Sequence, residues 1–128
     1  MISIPVSVGE LLDKLSILHI KQKNIQNSEK LEKVKAEYSL LYEISQVYLG
    51  GKDFFNLYDD LITINSKLWD IEDKIRIFEK KHLFNEEFIE LARAVYYTND
   101  ERFEIKNKIN LLANSEIQEQ KSYEDYKN

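Results

Sequence analysis

Asn65, Trp69, Glu72 and Arg76 stand four, three and four residues apart. That spacing stacks them along one side of an α-helix. The line holds the only tryptophan of the 128-residue chain, set between polar and charged neighbours. Any specific chemistry of the chain is expected on this flank. Charged side chains inside a helical bundle must be paired or must reach a water-filled pocket. If the chain folds back near residues 27, 51 and 83, one layer of the bundle collects Lys21, Trp69, Glu72, Asn99 and Arg102. With Arg76 beside them, these residues form a candidate ligand-binding pocket in which Lys21 and Arg102 bind an anion. The structural alternative is an ionic network that fixes helix register, with Arg102 held by Glu72 or Asp73.

Other chemistries find less in the sequence. Glu10 and Asp13 lie three apart, and paired carboxylates on facing helices can hold magnesium for phosphate chemistry. All-helical nucleotide pyrophosphohydrolases use two such pairs, whereas only one is present here, a spacing common on solvated helices. His19 and His82 each lack a second histidine at ligand spacing, and Ser7 is accounted for as a helix cap. There is no glycine-rich phosphate loop and no cysteine. No metal, cofactor or catalytic residue is therefore assigned. Tyr96-Tyr97 fits a core-and-interface pair better than a ligand platform.

Composition sets the class. The chain is 43% hydrophobic and 32% charged, so it is globular. Three glycines and one proline leave few turns for an all-β fold. A net charge of −5 argues against nucleic-acid binding, because the lysines at 30, 33 and 35 are interleaved with Glu29, Glu32 and Glu37. No apolar run approaches the roughly 20 residues that span a bilayer, and the N-terminus lacks the features of a signal peptide. A soluble, cytoplasmic protein is expected.

The elements that must position the flank are long helices. Ser7 and Glu10 have capping-box spacing and predict a helix over about 8–26 with seam residues Leu11, Leu15, Leu18 and Ile25. Asn27 or Ser28 opens a second helix to about Leu49, and Gly50-Gly51 is expected to end it in a left-handed conformation. Asp53 is the expected cap of a third helix over about 54–81, whose seam is Leu57, Leu61, Ile64, Leu68, Ile71, Ile75 and Phe78. Asn85 caps a fourth, with seam positions from Phe88 through Thr98, Arg102 and Ile109 to Leu112. A local irregularity is expected near Thr98, since Thr98 to Glu101 also reads as a capping box. Residues 1–6 form a short extended arm expected to lie on the bundle. The fold class is all-α, an antiparallel up-down bundle of four long helices over residues 1–114, followed by a polar tail over 115–128.

Three segments carry a resemblance. Ile4-Pro-Val-Ser-Val-Gly-Glu-Leu-Leu-Asp-Lys-Leu-Ser-Ile-Leu, Leu68-Trp-Asp-Ile-Glu-Asp-Lys-Ile-Arg and Glu90-Leu-Ala-Arg-Ala-Val-Tyr-Tyr-Thr-Asn-Asp-Glu-Arg, with Lys108-Ile-Asn-Leu-Leu after them, are similar to a family of small bacterial proteins described only as a domain of unknown function. Gln120-Lys-Ser-Tyr fits as well. The resemblance implies a stand-alone helical protein and brings no activity or catalytic residues.

The residues name no reaction. The reading they favour is a small helical-bundle binding protein without catalytic activity, acting on a protein partner or as a homodimer. The other is a small enzyme or ligand binder for an anionic metabolite or nucleotide, using the mid-bundle pocket.

Overall fold

The computed structural model describes residues 1–114; the tail over 115–128 lies outside the described residues. Four helices follow in order, α1 (Val8–Asn24), α2 (Ser28–Leu49), α3 (Lys52–Lys80) and α4 (Glu86–Ala113), with no strand among the described residues. Three of the starts are capped as the sequence predicts. Ser7 Oγ accepts from the Glu10 N–H at 3.1 Å, Asn27 Oδ1 from the Lys30 N–H at 3.0 Å and Asn85 Oδ1 from the Phe88 N–H at 3.0 Å. Each bond satisfies a donor that the first helical turn leaves open.

The other boundaries differ from expectation. Gly51, not Asp53, is the cap of α3, and it offers no side-chain bond. Asp53 sits inside the first turn, where its charge faces the positive end of the helix dipole. Gly50 and Gly51 keep negative φ values of −69° and −85°, so the chain turns there without a left-handed residue. The left-handed positions are His82 at φ 55° and Asn114 at φ 52°. His82 closes α3: its N–H donates to Glu79 O at 3.1 Å and the Leu83 N–H donates to Phe78 O at 2.9 Å, the paired bonds of a Schellman turn. α1 ends at Asn24, two residues early, and α4 passes through Thr98 as one continuous helix. The N-terminal arm is exposed throughout, from Met1 to Val6. Among the described residues, no backbone hydrogen bond ties residues 1–6 down.

The core is built from Leu12 and Leu15 of α1, Tyr58 and Leu61 of α3 and Ile109 of α4. Burying each leucine stabilises the fold by about 1.5–3 kcal/mol. α2 lies at the periphery. Ser45 is its one buried residue, and the seam residues Leu31, Val34, Tyr38, Leu41 and Tyr48 remain half-buried. On α4 the expected seam residue Leu112 is 44% exposed, while Lys106 and Asn110 are buried in its place.

Cross-helix pairs set the register. Gly9, Glu10 and Asp13 of α1 meet Asn110, Lys106 and Arg102 of α4 in descending order, so these two helices run in opposite directions. α3 packs against all three other helices. At 1.5 Å per residue, α3 is about 44 Å long and α1 about 26 Å. The surplus of α3 and α4 forms a two-helix hairpin in which no residue from 72 to 97 is buried.

Candidate functional site

The site begins with Asp13, whose side chain is 2% exposed. A buried carboxylate must be paired and hydrogen-bonded, and this one is. Arg102 Nε donates to Asp13 Oδ1 at 2.8 Å, and Arg102 Nη2 donates to Asp13 Oδ2. The planar guanidinium thus grips both oxygens of the carboxylate, the strongest geometry for such a pair. Asn65 of α3 completes the cluster. Its Nδ2 donates to Asp13 Oδ1 at 2.9 Å and to Ser16 Oγ at 2.7 Å. The Ser16 hydroxyl in turn donates to the Asp13 carbonyl at 2.6 Å. Three helices are therefore pinned at one level by one carboxylate.

A second polar lock lies one turn below. The Gly9 N–H donates to Asn110 Oδ1 at 2.7 Å, and buried Lys106 pairs with Glu10 at 2.9 Å. Gly9 is required by space. A Cβ there would stand 2.6 Å from the Lys106 carbonyl and 2.8 Å from Asn110 Oδ1.

Above the Asp13 cluster opens a pocket of about 280 Å³. Ile17, Ile20 and Leu68 supply its apolar walls, and Asn65, Trp69, Glu72, Asn99 and Arg102 supply the rest. Of the residues proposed from sequence, the structure brings together Trp69, Glu72, Asn99 and Arg102. Lys21 and Arg76 do not line it. Arg76 turns outward and holds Glu72 through an ion pair one helical turn away. Lys21 stands on α1 one residue past Ile20, on a different side of the helix. Arg102 is held by Asp13 across the bundle, not by Glu72 or Asp73.

The charges follow from these pairs. Asp13 balances Arg102, and Arg76 balances Glu72. The pocket therefore offers no uncompensated cation. Both hydrogens of the Asn65 amide are committed, which fixes that amide and leaves Oδ1 as an acceptor for a ligand. The Asn99 amide makes no hydrogen bond among the described residues. The half-buried Trp69 indole adds a flat apolar wall and an N–H donor.

The charged residues in the first half of α1 do not converge on the pocket. Asp13 is consumed in the network, Glu10 pairs with Lys106, and Lys14 is exposed and paired with Glu37 at 3.2 Å. No group of three or more potential metal ligands occurs among the described residues. His19, beside the Tyr38 ring, is held below its ordinary pKa, first by burial and then by Lys23. Burial, with Tyr38 next to it, pushes the Tyr58 hydroxyl well up.

Sequence reasoning missed the centre of the site. Asp13 was legible only as half of a weak acidic pair, and Ser16 and Gly9 not at all. The available signals were a glycine in the first turn of a helix and an Asp-x-x-Ser step on a face otherwise lined by leucines.

No helix among the described residues is long and apolar enough to cross a membrane. No curated protein and no solved structure was found to match the chain. One family model does match, over residues 2–127, nearly the whole chain, and it is described as a Family of unknown function (DUF6165). By that match, and with an all-helical fold to accompany it, the chain belongs to this family of unknown function.

Proposed function

We propose that the protein is a small binding protein, without a reaction of its own, that holds an uncharged ring-sized ligand in the pocket between α1, α3 and α4. The observation that carries this reading is the pairing of Arg102 with Asp13 at the pocket floor. A guanidinium already gripped by a buried carboxylate has little charge to offer an anion, and separating the pair would leave the carboxylate uncompensated. The ligand class therefore moves from the anionic metabolite suggested by sequence to a neutral one. Size points the same way. An apolar cavity of ~150 Å³ takes benzene, so about 280 Å³ suits one or two rings rather than a whole nucleotide. Trp69 would cover a ring face, Asn65 Oδ1 would accept from a ligand N–H or O–H, and the Asn99 amide would bond its edge.

The test is a thermal-shift screen of the full chain against neutral heteroaromatic compounds and, separately, phosphorylated metabolites, with Trp69 emission as the second signal. A ligand at one hundred times its Kd adds about 2.7 kcal/mol of stability. Neutral compounds should raise Tm and change Trp69 emission, and Asn99→Ala should weaken them about tenfold, the worth of one hydrogen bond. Binding by anions alone, or hits that leave Trp69 emission unchanged, would contradict the proposal.

A further inference from the structure

The distal hairpin carries a second surface, independent of the pocket. α3 and α4 keep their apolar rows beyond Ile71 and before Thr98, where no residue is buried. Ile77 is 49% exposed, Phe84 57% and Ile89 55%. Two helices alone seldom hold such rows in water, because most helical stability comes from covering the apolar face. Charge is divided between the two arms. The end of α3 is net basic, with Lys74, Arg76, Lys80 and Lys81 against Glu72, Asp73 and Glu79, and since Arg76 is paired with Glu72 the excess sits at Lys80 and Lys81. The start of α4 is acidic, with Glu86, Glu87 and Glu90 against Arg93. Lys80, Lys81, Glu86 and Glu87 are all exposed.

We propose that this hairpin is a homodimer interface, on which a second copy of the chain packs its own hairpin to complete a four-helix unit. The charge pattern selects this occupant. A two-fold axis sets each patch against itself, so the basic end of α3 meets the acidic start of the partner's α4, twice over. An apolar centre with charged flanks is the usual anatomy of such an interface. The pocket plays no part in the contact, so the two proposals stand or fall separately.

Sedimentation equilibrium of the full chain, from micromolar to sub-millimolar concentrations, tests the proposal. The wild-type chain should be a dimer. The charge-reversal pairs Lys80→Glu with Lys81→Glu, and Glu86→Lys with Glu87→Lys, should each raise the dimer Kd at least about tenfold while leaving the helical circular dichroism intact. An equimolar mixture of the two variants should dimerise again, because every reversed contact then finds its opposite. Phe84→Asp, at an exposed turn position, supplies an independent break. A wild-type chain that stays monomeric throughout, or variants that dimerise as tightly as the wild type, would overturn the proposal.

Discussion

α3 passes through two environments without changing its pattern. Up to Ile71 its seam is covered: Leu61 has no exposed surface, and Leu68 and Ile71 are 8% exposed. Beyond Ile71 the same spacing continues through Ile75 and Phe78, yet neither is fully buried. α4 mirrors this, with buried residues only from Thr98 onward. The difference lies in the neighbours. α1 covers the proximal half, bringing Leu12, Leu15 and the Asp13 cluster, and it ends at Asn24. Periodicity thus marks which face of a helix is apolar, and the lengths of the neighbouring helices decide how far that face is covered.

The contrast is broken most strongly by removing a side chain from each region. Leu12→Ala should cost on the order of 3–5 kcal/mol in urea denaturation, since the leucine is fully buried. Phe78→Ala, in the hairpin, should cost less, about 1–2 kcal/mol, at protein concentrations where the chain is monomeric, because its ring is only partly covered. Equal costs would mean that the hairpin is as tightly packed as the core.

The polar centre comes next. Asp13→Asn removes the charge that Arg102 faces and should destabilise by roughly 3 kcal/mol, the lower end for a buried pair, as Arg102 remains 28% exposed. Replacing both residues, Asp13→Leu with Arg102→Met, should cost less than Asp13→Asn alone, because no charge is left stranded. A double variant that is worse than the single one would show that the pair is held mainly by hydrogen bonds to its neighbours.

Gly9→Ala probes the lower lock. The added methyl would press on the Lys106 carbonyl at 2.6 Å, so α1 and α4 must part. A loss of about 1–3 kcal/mol is expected. A neutral result would mean that the first turn of α1 shifts freely.

The smallest effect is on pH. His19 has a folded pKa lowered below 6.5, so the folded state holds its proton less tightly than the unfolded chain does. The neutral form's contribution is fully present above pH 6.5 and is lost as pH falls through the lowered folded pKa. His19→Gln should flatten the dependence of Tm between pH 7.5 and 5.5. An unchanged slope would assign the dependence to the carboxylates.

Much of the architecture was legible because it depends on local rules. Ser7, Asn27 and Asn85 announce helix starts by their side-chain oxygens, and the seam of α3 announces its face. Asp53 misled because Gly51 can also begin a helix, and Gly50-Gly51 misled because two consecutive glycines can turn the chain without positive φ. The site was half legible. Trp69, Glu72, Asn99 and Arg102 fall in one layer, which counting residues from the turns can find. The partner of Arg102 could not be found that way. Glu72 and Asp73 lie on α3, as sequence proximity to Trp69 suggests, whereas Asp13 is 89 residues away and is selected by how α1 rotates against α4. Rotation of one helix about its axis is a tertiary property, set by the fit of Gly9 against α4.

Native-state hydrogen exchange on the full chain, run at a dilute and at a concentrated protein stock, tests the two-region account most directly. Amides over 9–20 and 98–110 should be protected to near the global stability at both concentrations. Amides over 72–97 should exchange through local opening when dilute and gain protection when concentrated, as the hairpins pair. Uniform protection along α3 and α4, with no dependence on concentration, would contradict both the division of the molecule and the interface proposed for its distal half.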